Sequence, residues 1–118
     1  MTNTEIKILN TLWENARPMS ATEILRQNPE MKEITVRKAL KTMLDEKFLR
    51  VEGITQTTKN FARTFTPIIT KEQYTFKEIS KIAQLDVFQF TSALLEKENL
   101  SDGQLSRLRS IIDKRLEK

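Results

Sequence analysis

Thr35, Arg37, Lys38, Lys41 and Thr42 fall on one side of a helical projection, and Val36, Ala39, Leu40, Met43 and Leu44 fall on the other. The polar side carries groups that suit duplex DNA. An arginine guanidinium can bond in a fork to a guanine edge. A threonine offers a hydroxyl and a methyl that can touch thymine. A lysine acts as a point charge toward phosphate. A second basic cluster follows at Lys59, Asn60 and Arg63, where the sequence reads as the tip of a β-hairpin. One cationic helix beside one basic hairpin suits a major groove with a flanking backbone contact. It points to a regulator of genes more than to an enzyme.

The elements that must hold these groups are legible because their starts are marked. A Ser or Thr followed three residues later by Glu or Gln satisfies two orphan backbone donors at a helix start. That pattern occurs at Thr2 with Glu5, Ser20 with Glu23, Thr70 with Gln73, and Ser101 with Gln104. Each pair is framed by apolar residues just before the cap and four residues after it: Met1 and Ile6, Met19 and Ile24, Ile69 and Tyr74, Leu100 and Leu105.

The first helix is predicted over about 3–15, with Ile6, Leu9, Leu12 and Trp13 as its core stripe. A short second helix over about 21–27 ends at Asn28-Pro29, because a residue before proline avoids the helical region. The cationic helix is predicted from Thr35 to about residue 46. The hairpin then runs from 48–52 to 61–65, with Gly53 opening its loop, Pro67 closing its second strand, and Phe61 and Phe65 buried. Three more helices are predicted over 71–84, 87–98 and 102–117. The expected fold is mostly α with a small β-hairpin wing, dividing into residues 1–70, which carry the cationic helix, and residues 71–118, which are helical.

Composition excludes much else. The 118 residues contain no histidine and no cysteine. The usual general base, the commonest metal ligand and every thiol are therefore missing. Two separated glycines, Gly53 and Gly103, cannot build a phosphate-cradling loop. Carboxylates alternate with lysines, as in Glu96-Lys97-Glu98, in the manner of a solvated helix face. No metal, cofactor or catalytic residue is expected. No apolar run is long enough for a bilayer and no secretory signal pattern opens the chain, so a cytoplasmic protein is expected. The net charge is +4. Residues 1–70 carry 11 Lys and Arg against 8 Asp and Glu, whereas residues 71–118 carry 9 against 8. The excess thus sits with the cationic helix, as a phosphate-binding surface requires; a merely solvated basic surface is the other reading.

These residues, in order, resemble the penicillinase-repressor family of bacterial winged-helix regulators. The resemblance is carried by Glu5-Ile6, Ile8-Leu9 and Leu12-Trp13, then Ala21, Glu23 and Ile24, then Thr35-Val36-Arg37 with Leu40, Met43 and Leu44. It continues through Lys47, Leu49, Phe61 and Phe65 to Leu100-Ser101, Leu105, Leu108 and Ile111-Ile112. The resemblance implies an N-terminal winged helix-turn-helix that binds double-stranded DNA and a C-terminal helical region that makes a homodimer. The recognition helix (about 35–46) would enter the major groove and the wing (about 53–63) would lie on the backbone of a dyad operator, whose half-sites lie about 34 Å apart. Phe88, Phe90, Leu94, Leu95, Leu105, Leu108, Ile112 and Leu116 are more apolar surface than a 48-residue helical unit easily buries, which marks them as the dimer interface; packing back onto the N-terminal half is the alternative.

The chain also departs from the family. Relatives that respond to β-lactams are cut at an Asn-Phe bond by a partner protease, and the matching pair here is Ala93-Leu94. Copper-responsive relatives use cysteines, which this chain lacks. The implied function is repression of transcription, with the inducing signal and any upstream sensor or protease left open. A winged-helix adaptor that docks proteins is the first rival. An RNA-binding module is the second, disfavoured because Phe61 and Phe65 read as buried and leave no aromatic platform.

Overall fold

The computed structural model describes residues 1–56 and 60–117. The elements are α1 (Asn3–Asn15), α2 (Ala21–Gln27), α3 (Glu33–Asp45), β1 (Leu49–Gln56), β2 (Phe61–Pro67), α4 (Lys71–Ile82), α5 (Val87–Lys97) and α6 (Asp102–Glu117). Among the described residues, six helices and one two-stranded antiparallel hairpin make the mostly helical, winged architecture expected from the sequence. The chain forms two compact units, Met1–Glu78 and Ile79–Lys118.

All four capping boxes form. The Thr2 hydroxyl accepts from the Glu5 N–H at 3.2 Å while Glu5 accepts from the Thr2 N–H at 2.8 Å. Ser20 with Glu23, Thr70 with Gln73, and Ser101 with Gln104 repeat the reciprocal pair. In α5 the Asp86 carboxylate does the same work alone, accepting from the Gln89 N–H at 2.9 Å. Helix α3 differs: Lys32 stands at its N-cap with no side-chain bond, and the helix starts two residues before the expected Thr35. No cap residue marks that start, so it was invisible to a reading built on caps.

The core of the first unit is Ile8, Leu9, Leu12, Met19, Ala21, Ile24, Val36, Leu40, Met43, Leu49 and Phe65. Three helices and the root of the hairpin contribute to it. Met19, just before α2, exchanges two backbone bonds with Phe65 (3.1 and 2.8 Å), which ties the first helix pair to β2. The Trp13 indole donates to the Ile69 carbonyl at 3.1 Å and its ring lies 5.8 Å from that of Tyr74. The segment after the wing is thereby held on α1.

The hairpin differs from expectation at one point. Gly53 does not open the loop; β1 continues to Gln56, and Gly53 lies just past a β-bulge, where the register shifts between Val51 and Gly53. An isolated glycine within a strand pattern marks a bulge as readily as a turn. Pro67 is the last residue of β2, as expected.

In the second unit none of the described residues is buried. Phe88 is 74% exposed, Ile112 51% and Leu116 79%, while Leu94, Leu95 and Leu105 are also exposed and Phe90 and Leu108 are half-buried. No helix among the described residues is long and apolar enough to cross a membrane.

Candidate nucleic-acid interface

The candidate surface is built outward from α3. Its apolar arc, Val36, Leu40 and Met43, is fully buried, with Ala39 and Leu44 half-buried beside it. Burial of that arc fixes the rotation of the helix and leaves Thr35, Arg37, Lys38 and Lys41 exposed on the opposite side. Thr42 is half-buried, and its hydroxyl donates to the Lys38 carbonyl at 3.1 Å. Arg37 Nε donates to Glu33 Oε2 at 2.8 Å across one helical turn, with both side chains more than half exposed. An exposed pair of this kind is weak, so the guanidinium is readily exchanged onto a stronger acceptor.

The end of α3 is set by an unusual residue. Lys47 has φ 64°, a left-handed conformation. Its N–H bonds to the Leu44 carbonyl at 3.1 Å, and the Phe48 N–H bonds to the Met43 carbonyl at 2.9 Å. This pair of bonds is a Schellman closure, in which glycine is the usual left-handed residue. It turns the chain directly into β1 and so sets where the wing departs.

Helix α2 supplies a second wall. Its start is held by Ser20, buried, and by Glu23, which also pairs with Arg17 at 2.8 Å. The Ser20 backbone N–H, and after it the Arg17 guanidinium, hold the Glu23 carboxyl below its ordinary value of 4.5 against the opposing effect of burial. The α2 start is thus locked by a charged group at neutral pH. Thr22 is exposed on its first turn.

These parts converge. Ala21 and Thr22 from α2, Arg37 from α3, and Asn60, Phe61, Ala62, Arg63 and Phe65 from the wing line one open groove. The sequence-predicted residues Arg37, Asn60 and Arg63 therefore share a single concave surface, although more than twenty positions separate the first from the others. The Arg63 guanidinium sits 5.5 Å above the Phe65 ring, which orients it by a cation–π contact. Thr35, Lys38, Lys41 and Thr42 extend the basic surface along α3 outside the groove. Lys59, predicted as part of the wing tip, lies outside the described residues.

Three exposed apolar residues beside this surface escaped sequence reasoning. Ile34 is 82% exposed at the start of α3, on the polar arc, a position the helical period alone reveals. Ile54 is 70% exposed and Phe61 73% exposed on the hairpin. Phe61 contradicts the expectation of burial. Strand alternation correctly sets it on the same face as Phe65, but cannot tell where the hairpin leaves the body of the domain. Phe65 is at the root and 4% exposed; Phe61 is past the edge.

Among the described residues no group of three or more His, Cys, Asp or Glu side chains is placed to hold a metal ion. Every buried side-chain polar atom among them has a hydrogen-bond partner.

Comparison with known proteins places the chain among regulators. The family model described as penicillinase repressor matches residues 1–114. Solved structures similar to this chain include the adhesin competence repressor AdcR from Streptococcus pyogenes, with 19% identity over 99% of this chain and 79% of that one and a TM-score of 0.46. MarR from Staphylococcus aureus, in complex with salicylate and kanamycin, has 22% identity over 98% of this chain and 71% of that one, with a TM-score of 0.43. A cysteine-to-serine mutant of ZitR from Lactococcus lactis has 14% identity over 99% of this chain and 74% of that one, with a TM-score of 0.48. Curated proteins gave no match.

Proposed function

The chain belongs to the penicillinase repressor family, a family of DNA-binding regulators and not of enzymes, and from that premise we propose that it represses transcription by binding a dyad operator as a homodimer. Residues 1–70 bind DNA and residues 71–118 dimerise. Helix α3 enters the major groove through Thr35, Arg37, Lys38, Lys41 and Thr42, with its N-terminal part deepest. The wing, through Lys59, Asn60 and Arg63, grips the adjacent backbone. The observation that carries this reading is the groove shared by Arg37, Asn60 and Arg63 beside the exposed lysines of α3. A helix that reads bases and a strand that grips phosphate must face the same duplex, and here their cations line one surface.

Dimerisation is supported by the second unit, where none of the described residues is buried and the expected interface side chains, Phe88, Phe90, Leu94, Leu95, Leu105, Leu108, Ile112 and Leu116, are exposed or half-buried. An apolar surface of this kind is stable in water only when covered. Two recognition helices on one dimer also multiply affinity through effective concentration, so any signal that loosens the dimer releases the operator.

The test is a gel shift on the DNA upstream of the protein's own gene and on a scrambled duplex, at two salt concentrations. Sequence-selective binding that weakens steeply and linearly on a log–log salt plot is expected. Equal and weak binding to both duplexes would sink the repressor reading in favour of a winged-helix adaptor.

A further inference from the structure

The hairpin carries an apolar surface where phosphate contact alone would ask for none. Residues paired across an antiparallel ladder point to the same face, as do residues two apart on one strand. Phe61 pairs with Gln56, and Arg63 with Ile54. Phe61, Arg63, Ile54 and Gln56 therefore share one face of the wing, the face that at Phe65 packs into the core. Past Phe65 this face runs clear of the body, leaving Arg63 exposed, Ile54 70% exposed and Phe61 73% exposed. Phe61 and Arg63 also line the groove that Arg37 enters from α3.

A phenyl ring gains nothing from a phosphate, since it neither donates a conventional hydrogen bond nor carries charge. A duplex offers an apolar side chain the thymine methyl in the major groove, and the sugar rims and base-step faces in the minor groove. With α3 occupying the major groove, the wing beside it falls over the flanking backbone and the minor groove next to it. Arginine on the same face suits that location, because a narrow minor groove concentrates negative potential. A single-strand platform fits less well. Such platforms present several aromatic rings in a row, whereas here the next aromatic on the strand, Phe65, is 4% exposed.

We infer that Phe61 is a DNA-reading residue of the wing: it enters the minor groove flanking each half-site and partly unstacks one base step there. The wing then selects sequence by deformability, favouring flexible pyrimidine–purine steps, besides gripping phosphate. This inference rests on the repressor reading above, and its test separates the two.

The experiment uses the full-length chain and duplexes that the wild-type protein enriches from a random pool, with 2-aminopurine placed in turn at positions flanking the half-site. Wild-type binding is expected to raise the fluorescence at one flanking step. Phe61→Ala is expected to bind about tenfold more weakly, with a stacking or wedge contact as the loss. The fluorescence rise and the flanking preference should vanish while the log–log salt slope stays unchanged. Phe61→Leu, which keeps an apolar wedge, should recover part of both. Arg63→Ala should do the reverse, lowering the slope by about one while keeping the rise. Because Phe61 is largely exposed, thermal melts of these variants should match the wild type. Wild-type binding with no fluorescence rise, or Phe61→Ala binding with unchanged affinity and preference, would overturn the inference and leave the repressor reading standing. Wild-type preference for single strands, lost in Phe61→Ala, would overturn it in favour of a stacking platform. No salt-sensitive duplex binding by the wild type would overturn both readings.

Discussion

At the residue scale the central question is what Arg37 does when DNA is absent. Its guanidinium is held by Glu33 at 2.8 Å in an exposed pair. Such pairs are worth roughly 0–1 kcal/mol, so little would oppose the proposed exchange onto a guanine edge or a phosphate. Arg37→Ala is expected to cost about 1–3 kcal/mol of operator binding and to relax preference at one base position, measured by titrating operator and single-base variants. Glu33→Gln is expected to tighten binding to scrambled duplex more than to operator, because it removes a carboxylate from the surface proposed to face phosphate. Lys41→Ala should weaken binding to all sequences alike and lower the salt slope by about one. The exposure of the α3 residues proposed to carry these effects was legible from periodicity, because a buried apolar arc fixes what lies opposite. Phe61 was not. Its exposure depends on how far the hairpin projects, and local alternation holds no information about that distance.

At the element scale the N-terminal caps and the positive-φ closure of α3 determine where the proposed reading groups stand. Ser20 is 1% exposed and bonded to Glu23 in both directions, so Ser20→Ala is expected to cost about 1–2 kcal/mol of stability, read by urea unfolding. Thr70→Ala, at an exposed cap, should cost less. Glu23 adds a pH dependence. Its carboxyl is held below 4.5 in the fold, first by the Ser20 N–H and then by Arg17. The unfolded chain therefore binds this proton more readily than the folded one. The associated stability is fully present above about pH 4.5 and is lost as pH falls through the lower folded value. Glu23→Gln should flatten unfolding free energy over that acid range and leave its slope near neutrality unchanged. Lys47 bears a left-handed φ of 64° that a glycine adopts without steric cost. Lys47→Gly is expected to stabilise the fold by about 1 kcal/mol, as a shift of the urea midpoint. Helix starts were legible wherever a side-chain cap wrote them into the sequence, and α3, which has no side-chain cap bond, is the helix whose start was misplaced. Gly53 failed for a related reason. A glycine signals a departure from regular backbone, but a bulge and a turn ask for the same residue.

At the scale of the whole molecule the issue is what keeps the second unit folded. A helical unit in which no described residue is buried has no dry core of its own, yet α5 and α6 each carry an N-terminal cap and an apolar stripe. Caps stabilise a helix by satisfying backbone donors, but most helical stability in proteins comes from packing an apolar face. In the proposed homodimer a second copy would cover that stripe with self-complementary surface and no further partner. The choice of test residue follows from exposure. Leu108 is half-buried and lines a depression within the unit together with Leu94, Leu95 and Leu100. Leu108→Asp would thus disturb folding and association together. Ile112 and Leu116, at 51% and 79% exposed, report association more cleanly. Ile112→Asp and Leu116→Asp are each expected to shift sedimentation from dimer to monomer. Binding to a dyad operator should then collapse, while binding to a single half-site remains, because linkage and not contact has been removed. The melt of the first unit should be unchanged, since its core residues, Ile8 to Phe65, lie within Met1–Glu78. A double variant that stays dimeric would show that the covered face lies elsewhere, and the assignment of Phe88, Phe90, Leu94, Leu95, Leu105, Leu108, Ile112 and Leu116 to the interface would fall with it.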